Sequence, residues 1–199
     1  MFRLAIIFAS VLALSACGSS PDAIDTRGPQ MTPIPKGTLS LPDRAAYYQK
    51  DKRWENERLG NTSDTMGTDG CLVTATAMAL ANLGFQTTPS DLNKRLTAEN
   101  SFTSRGWLIW DGIRKVTDGR ARAIYHDRVD DTTIQSCLMN GDYPLVQFYL
   151  PNGRSHWAMI VSQTERGYRM RDPLRVSKKP LIFPHSTDKF RAVRCVGLN

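Results

Sequence analysis

From Cys71 the chain reads Cys-Leu-Val-Thr-Ala-Thr-Ala-Met-Ala-Leu-Ala-Asn-Leu without one charged side chain, and the run stops at Gly84. A helix with no polar face has to be enclosed on all sides. Glycine just past its end is a natural C-terminal cap. The fold must therefore supply enough surrounding structure to wrap this segment, and Cys71 falls at its N-terminus, after the turn-like pair Asp69-Gly70. Composition permits such a fold. With 199 residues, 41% hydrophobic and 9% aromatic, the chain is of one-domain size, and low-complexity, collagen-like and disordered classes are disfavoured.

Other elements follow from local signals. Thr88-Pro89-Ser90-Asp91 reads as an N-cap with proline at the first helical position, opening a short helix through Leu92 and Leu96. Trp107 to Val116 and Thr132 to Asn140 are two further helices, the latter closed by Gly141. Strands are expected at Leu145–Leu150 and Ser155–Val161, joined by the turn Pro151-Asn152-Gly153. Another runs over Tyr168–Arg171 and ends at Asp172-Pro173, and Ala192–Val196 forms the last. Helices first and an antiparallel sheet second indicate an α+β fold.

At the start, Met1-Phe2-Arg3 precedes a short apolar run, Leu4 to Ala13, too short to cross a bilayer of about 30 Å. Leu14-Ser15-Ala16-Cys17 resembles the lipobox of bacterial lipoproteins, which implies a signal peptide over residues 1–16 and a diacylated Cys17. An ordinary signal peptide that ends near a cysteine is the plainer alternative. Acyl chains contribute about 0.8 kcal/mol per buried methylene and would hold the chain on a membrane of the cell envelope. Gly18 after the cysteine, in place of Asp, implies the outer membrane, facing the periplasm, if the source is Gram-negative. Residues 17–43, with Pro21, Pro29, Pro33, Pro35 and Pro42, read as a flexible tether, and residues 44–199 as the folded domain.

Three side chains in the domain suggest nucleophilic chemistry. Cys71 at a helix N-terminus meets unpaired N–H groups and the positive end of the dipole, which favour a thiolate; the plain alternative is a small buried hydrophobe. His156 opens the second strand of its hairpin and Asp172 closes the next strand. A turn centred near residue 164 or 165 sets the position opposite His156 at about 172–174, within reach of the carboxylate. The carboxylate would fix the imidazole tautomer and leave the other ring nitrogen for the thiol. Gln49, in the stretch Tyr47 to Trp54, is a suitable neutral donor to an oxyanion, together with the Cys71 N–H.

The remaining features are less specific. His126 and His185 lie in loop-like surroundings and read as solvated. The three histidines have no metal-ligand spacing, so neither a metal nor another cofactor is expected. Cys137 and Cys195 are either a disulfide, closing a loop of about 58 residues for roughly 2–4 kcal/mol, or two separate buried thiols. The net charge is +7. Arg166, Arg169, Arg171, Arg175, Lys178 and Lys179 cluster around Asp172, as a solvated face or as an attractor for anionic headgroups or an acidic peptide. No motif for nucleic acid is present, and nucleic acid is not an expected partner.

The ordered series Tyr48-Gln49, Trp54, Asp69-Gly70-Cys71-Leu72-Val73-Thr74, Ala77-Met78-Ala79-Leu80, Gly84, Ser155-His156-Trp157 and Arg171-Asp172-Pro173 resembles the papain-like cysteine peptidases of the bacteriocin-processing, C39-like type. The resemblance spans roughly residues 44–176. It implies a papain-like fold, Cys71 as nucleophile, His156 as general base and acid, Asp172 as orienting carboxylate, Gln49 as oxyanion donor, and a peptide or protein substrate. Leu72 stands where many relatives carry glycine or glutamate, and no transporter segment accompanies the domain. Two rivals remain. A cell-wall amidase or endopeptidase of the NlpC type normally has Ser-Gly after its nucleophile, unlike Leu72-Val73; a catalytically silent module would keep the fold to hold a peptide or glycan.

Overall fold

The computed structural model describes residues 39–183 and 189–199. The expected signal peptide, Cys17, most of the tether and His185 lie outside the described residues. The chain is a mixture of helices and one antiparallel sheet. After β1 (Leu39–Ser40) come α1 (Met66–Asp69), α2 (Cys71–Asn82), α3 (Pro89–Ala98) and α4 (Asp111–Val116). Then follow β2 (Ala121–Tyr125), α5 (Asp131–Met139), β3 (Tyr143–Tyr149), β4 (Ser155–Thr164), β5 (Gly167–Arg171), β6 (Leu181–Phe183) and β7 (Phe190–Leu198).

The sheet order is β2-β7-β3-β4-β5-β6, every neighbour antiparallel, with β1 paired to β4. β4 is covered on both faces, which explains its unbroken apolar run. Met159 and Val161 belong to the core that holds Val73, Ala75, Ala77 and Leu80 of α2. Ala158 and Ile160 face a second core, with Ile134 and Leu138 of α5, Tyr168 and Phe190. The alanines at 75, 77 and 79 are fully buried, and their short side chains let α2 pack closely. Cys137 on α5 and Cys195 on β7 are joined as a disulfide, their Cα atoms 5.6 Å apart.

Several expectations need correction. The folded part starts before residue 44: Leu39 and Ser40 pair with Gln163 and Ser162, and the Leu41 N–H donates to Val161 O at 2.9 Å. Tyr143 Oη donates to Pro42 O at 2.6 Å. Arg171 does not belong to a solvated basic face. Only 7% exposed, it makes a two-pronged pair with Asp43 (both 2.7 Å) and donates to Ser177 O and Lys178 O. The helix expected from Trp107 begins at Asp111, because Phe102 and Leu108 form a bridge and the Ile109 N–H donates to Ser101 O. β2 and β6 were not expected, and β2 interrupts the helices-first order.

The Asp43–Arg171 pair carries a measurable consequence. Removing one partner strands a largely buried charge, a loss of about 3 kcal/mol for a pair of this kind. Asp43→Ala should lower unfolding free energy in urea by that order. A chain trimmed to begin at Arg44 should lose at least as much relative to one beginning at Lys36, since the β1 pairing and the Pro42 carbonyl bond go with Asp43, whereas equal stability of the two would show that residues 39–43 contribute nothing to the fold.

Candidate active site

Cys71 owes its place to a break between two helices. α1 is a single turn, closed at its start by a reciprocal capping box between Thr65 and Thr68. Gly70 ends α1 and precedes α2. A Cβ there would lie 2.5 Å from Met66 O, so only glycine lets the chain restart as a helix at this point. The Gly70 carbonyl accepts the first α2 bond, from Thr74 N–H at 2.9 Å. Cys71 is thus the first residue of a long helix, where N–H groups lack intrahelical partners. It is half-buried and its thiol is free.

His156 stands at the start of β4 and is 1% exposed. Its Nε2 lies 2.6 Å from Asp172 Oδ1, which assigns the Nε2 proton to the carboxylate and leaves Nδ1 as the ring's second polar atom, in a residue that lines the same cleft as Cys71. Phe148 packs edge-on against the ring, 5.3 Å between centroids. Burial disfavours the charged imidazole, but hydrogen bonds to Asp172 and Cys71 and the attraction of both outweigh it. The pKa is pushed up to about 9. Burial likewise opposes the Asp172 carboxylate, yet the His156 bond and charge, the Leu174 N–H (2.9 Å to Oδ1) and Arg175 hold its pKa below the ordinary range. Asp172 lies one residue past β5, whose register with β4 shifts between Ile160 and Ser162.

Gln49 is 1% exposed. Its backbone N–H donates to Pro173 O at 2.7 Å, and its Nε2 donates to Gly67 O at 3.0 Å. One amide hydrogen is therefore engaged and the second is left for another acceptor, while Oε1 is buried without a partner. Gln49, Cys71 and His156 line one cleft of about 420 Å³, and Asp172 braces the ring from behind. The structure thus brings the four candidate residues together.

The other cysteines stand apart. His126 is half-buried, not solvated, with Nε2 3.1 Å from Cys195 Sγ. Among the described residues, His126, Cys137 and Cys195 are the one group close enough to hold a metal ion, and the disulfide engages both of its sulfurs. Among the described residues no helix is long and apolar enough to cross a membrane. One cleft residue was missed. Arg154, in the turn before His156, donates to Thr68 O and Asp69 Oδ1, both at 2.9 Å, and so ties the His156 hairpin to the segment preceding Cys71. Its signal was its place between Pro151-Asn152-Gly153 and His156.

No family model matches the chain, and no curated protein matches it. Among solved structures, a crystal structure described as a candidate C39-like peptidase from Bacillus anthracis aligns with a TM-score of 0.52 at 13% identity. The alignment covers 78% of this chain and 96% of that one. The fold is therefore C39-like, a likeness of architecture that leaves the chemistry to be argued from the residues.

The His156 environment predicts a pH dependence. A pKa raised from 6.5 to about 9 means that this group's contribution to stability is complete below about pH 6.5 and is lost as pH rises through about 9. NMR of labelled histidine should place the His156 midpoint near 9 and, in Asp172→Asn, distinctly closer to 6.5. An unperturbed wild-type midpoint would show that the carboxylate does not hold the charged ring.

Proposed function

We propose that the chain is a membrane-anchored thiol hydrolase, a papain-like cysteine peptidase that cleaves peptide bonds with Cys71, His156 and Asp172. The observation that carries this reading is the buried His156 ring, bonded to the Asp172 carboxylate, in the same cleft as the free Cys71 thiol at the start of α2. Nucleophile, base and orienter in that order are what acyl transfer requires. The C39-like fold supports the peptidase class. Leu72-Val73 in place of Ser-Gly weighs against the cell-wall amidase alternative.

The Cys71 thiolate attacks the scissile carbonyl, with the imidazolium of His156 beside it. The tetrahedral oxyanion is received by the Cys71 N–H and the remaining amide hydrogen of Gln49. Collapse expels the amine, which takes the His156 proton, and a thioester is left on Sγ. The neutral ring then removes a proton from water as it attacks the thioester. The ring is thereby an imidazolium again, and collapse of the second intermediate expels the Cys71 thiolate and releases a carboxylic acid. Asp172 holds the ring through both steps. The lipid on Cys17 would confine this reaction to a membrane surface of the cell envelope, with an outer-membrane, periplasm-facing position if the source is Gram-negative.

Iodoacetamide at pH 6 to 7 tests the pair. Rapid alkylation confined to Cys71, and slower by an order of magnitude or more in His156→Ala, is expected because the thiolate is the reacting form; slow, equal labelling of both would sink the enzyme reading. Peptide and peptidoglycan-fragment substrates then separate peptidase from amidase. For the anchor, Cys17→Ala should move the chain from the membrane fraction to the soluble fraction. Retention of the variant in membranes would remove the lipid.

A further inference from the structure

A second cavity, of about 850 Å³, adjoins the cleft. The two share Leu150 and Leu174, and Asp172 lines the larger one. Its floor is apolar: Phe148, the ring packed against His156, with Met170, Leu181 and Phe183. Tyr149 (58% exposed) and Ile182 (52%) leave large apolar surface open to solvent within it. That volume lies in the range of pockets that bind ligands, about 300–1,000 Å³.

Its charge is one-sided. Arg175, Lys189 and Arg191 line it, and Asp172, its one carboxylate, is already engaged by His156 and the Leu174 N–H. Lys189 and Arg191 flank buried Phe190, are themselves exposed, and have no carboxylate partner among the described residues. Arg191 lies over the Tyr149 ring, 5.7 Å from its centroid, which holds its guanidinium at the groove's edge. An apolar floor bordered by cations, continuous with the reacting cleft, is complementary to a chain that offers an apolar side chain and a carboxylate close together.

We infer that this groove is a substrate subsite that selects peptides carrying an acidic residue next to a large apolar one. The apolar side chain rests on Phe148, Met170 and Phe183, and the carboxylate meets Lys189 and Arg191. Its occupant rests on the peptidase reading above, since the groove extends the cleft in which that reaction is placed. Phe148 forms both the groove floor and the wall of the His156 ring, so an occupied groove also buttresses the imidazole.

The test uses the full chain with Cys71→Ala, which binds without cleaving, and a library of proteome-derived peptides identified by mass spectrometry after retention. Peptides with Asp or Glu within two or three positions of Leu, Ile, Phe or Met should be enriched over the input, less so as salt is raised. In Lys189→Glu/Arg191→Glu on the same background, retention of those peptides should fall about tenfold, the loss expected when two attractive contacts become repulsive. The unfolding midpoint of that variant reports whether the domain is intact, and Lys189→Gln/Arg191→Gln, without repulsion, should give a smaller loss in the same direction. No acidic enrichment, or unchanged enrichment in both double variants, overturns the subsite. Because retention needs no thiol, an unreactive Cys71 would remove the peptidase and leave a peptide-binding groove. Loss of the acidic preference would remove the groove and leave the peptidase.

Discussion

Enclosure of α2 is the constraint on which the rest of the molecule depends. Each large apolar side chain taken out of water contributes about 1.5–3 kcal/mol, and α2 has buried residues around its whole circumference, from Val73 to Leu80. The sheet must therefore pack on it, α3 must flank it, and its two ends are the places where polar chemistry can begin. At the far end Asn82 accepts from Arg44 and Ala45 N–H groups, which sets the course of the segment leading to Gln49. At the near end Gly70, with no room for a Cβ, lets the helix start abruptly at Cys71. A thiol on the first turn of an otherwise apolar helix is held rigidly by packing behind it and presented to a cleft in front.

Against that fixed thiol the imidazole is placed by electrostatics that burial alone would not favour. Desolvation acts against charge on both His156 and Asp172, and each becomes tolerable through the other. Asp172 in turn depends on its neighbour. Arg171 is anchored by Asp43 and by the carbonyls of Ser177 and Lys178, so the backbone that carries Asp172 is gripped on both sides of the strand end. The segment Leu39 to Asp43 thus bears on the placement of Asp172 without touching its carboxylate.

How much of this was legible in the residues depends on how local each signal was. Cys71 at the start of α2, the hairpin carrying His156, and the end of β5 near Asp172 follow from periodicity, turn chemistry and a charge-free run, all read within a few positions. Arg171 looks solvated in sequence because its side chain, in a string of basic residues, is distinguished only by Asp43, 128 positions away. β2 was missed because Ala-Arg-Ala-Ile-Tyr has no clean alternation of its own; it is a strand because β7 offers it an edge. The true start of the fold is hidden in sequence because proline-rich composition signals a tether, whereas Pro42 serves through its carbonyl, which proline keeps.

The candidate oxyanion donor and the orienting carboxylate are mounted on one another. The Gln49 N–H bonds to Pro173 O, one residue after Asp172, while the Gln49 side chain reaches Gly67 on the turn that leads to Cys71. Gly67 itself has no room for a Cβ, which would meet Glu55 O at 2.8 Å. Three segments far apart in the chain, around residues 49, 67 to 71, and 172, are therefore tied together through Gln49, and both links end on backbone carbonyls. Backbone acceptors are indifferent to side-chain identity, so these links constrain few residues beyond Gln49 and Gly67. A scaffold linked in this way can keep its geometry while most of its residues change, which is why an architecture shared at 13% identity is physically reasonable. By the same reasoning, the proposed selectivity would reside in side chains that the scaffold does not use, such as those of the groove beside Phe148.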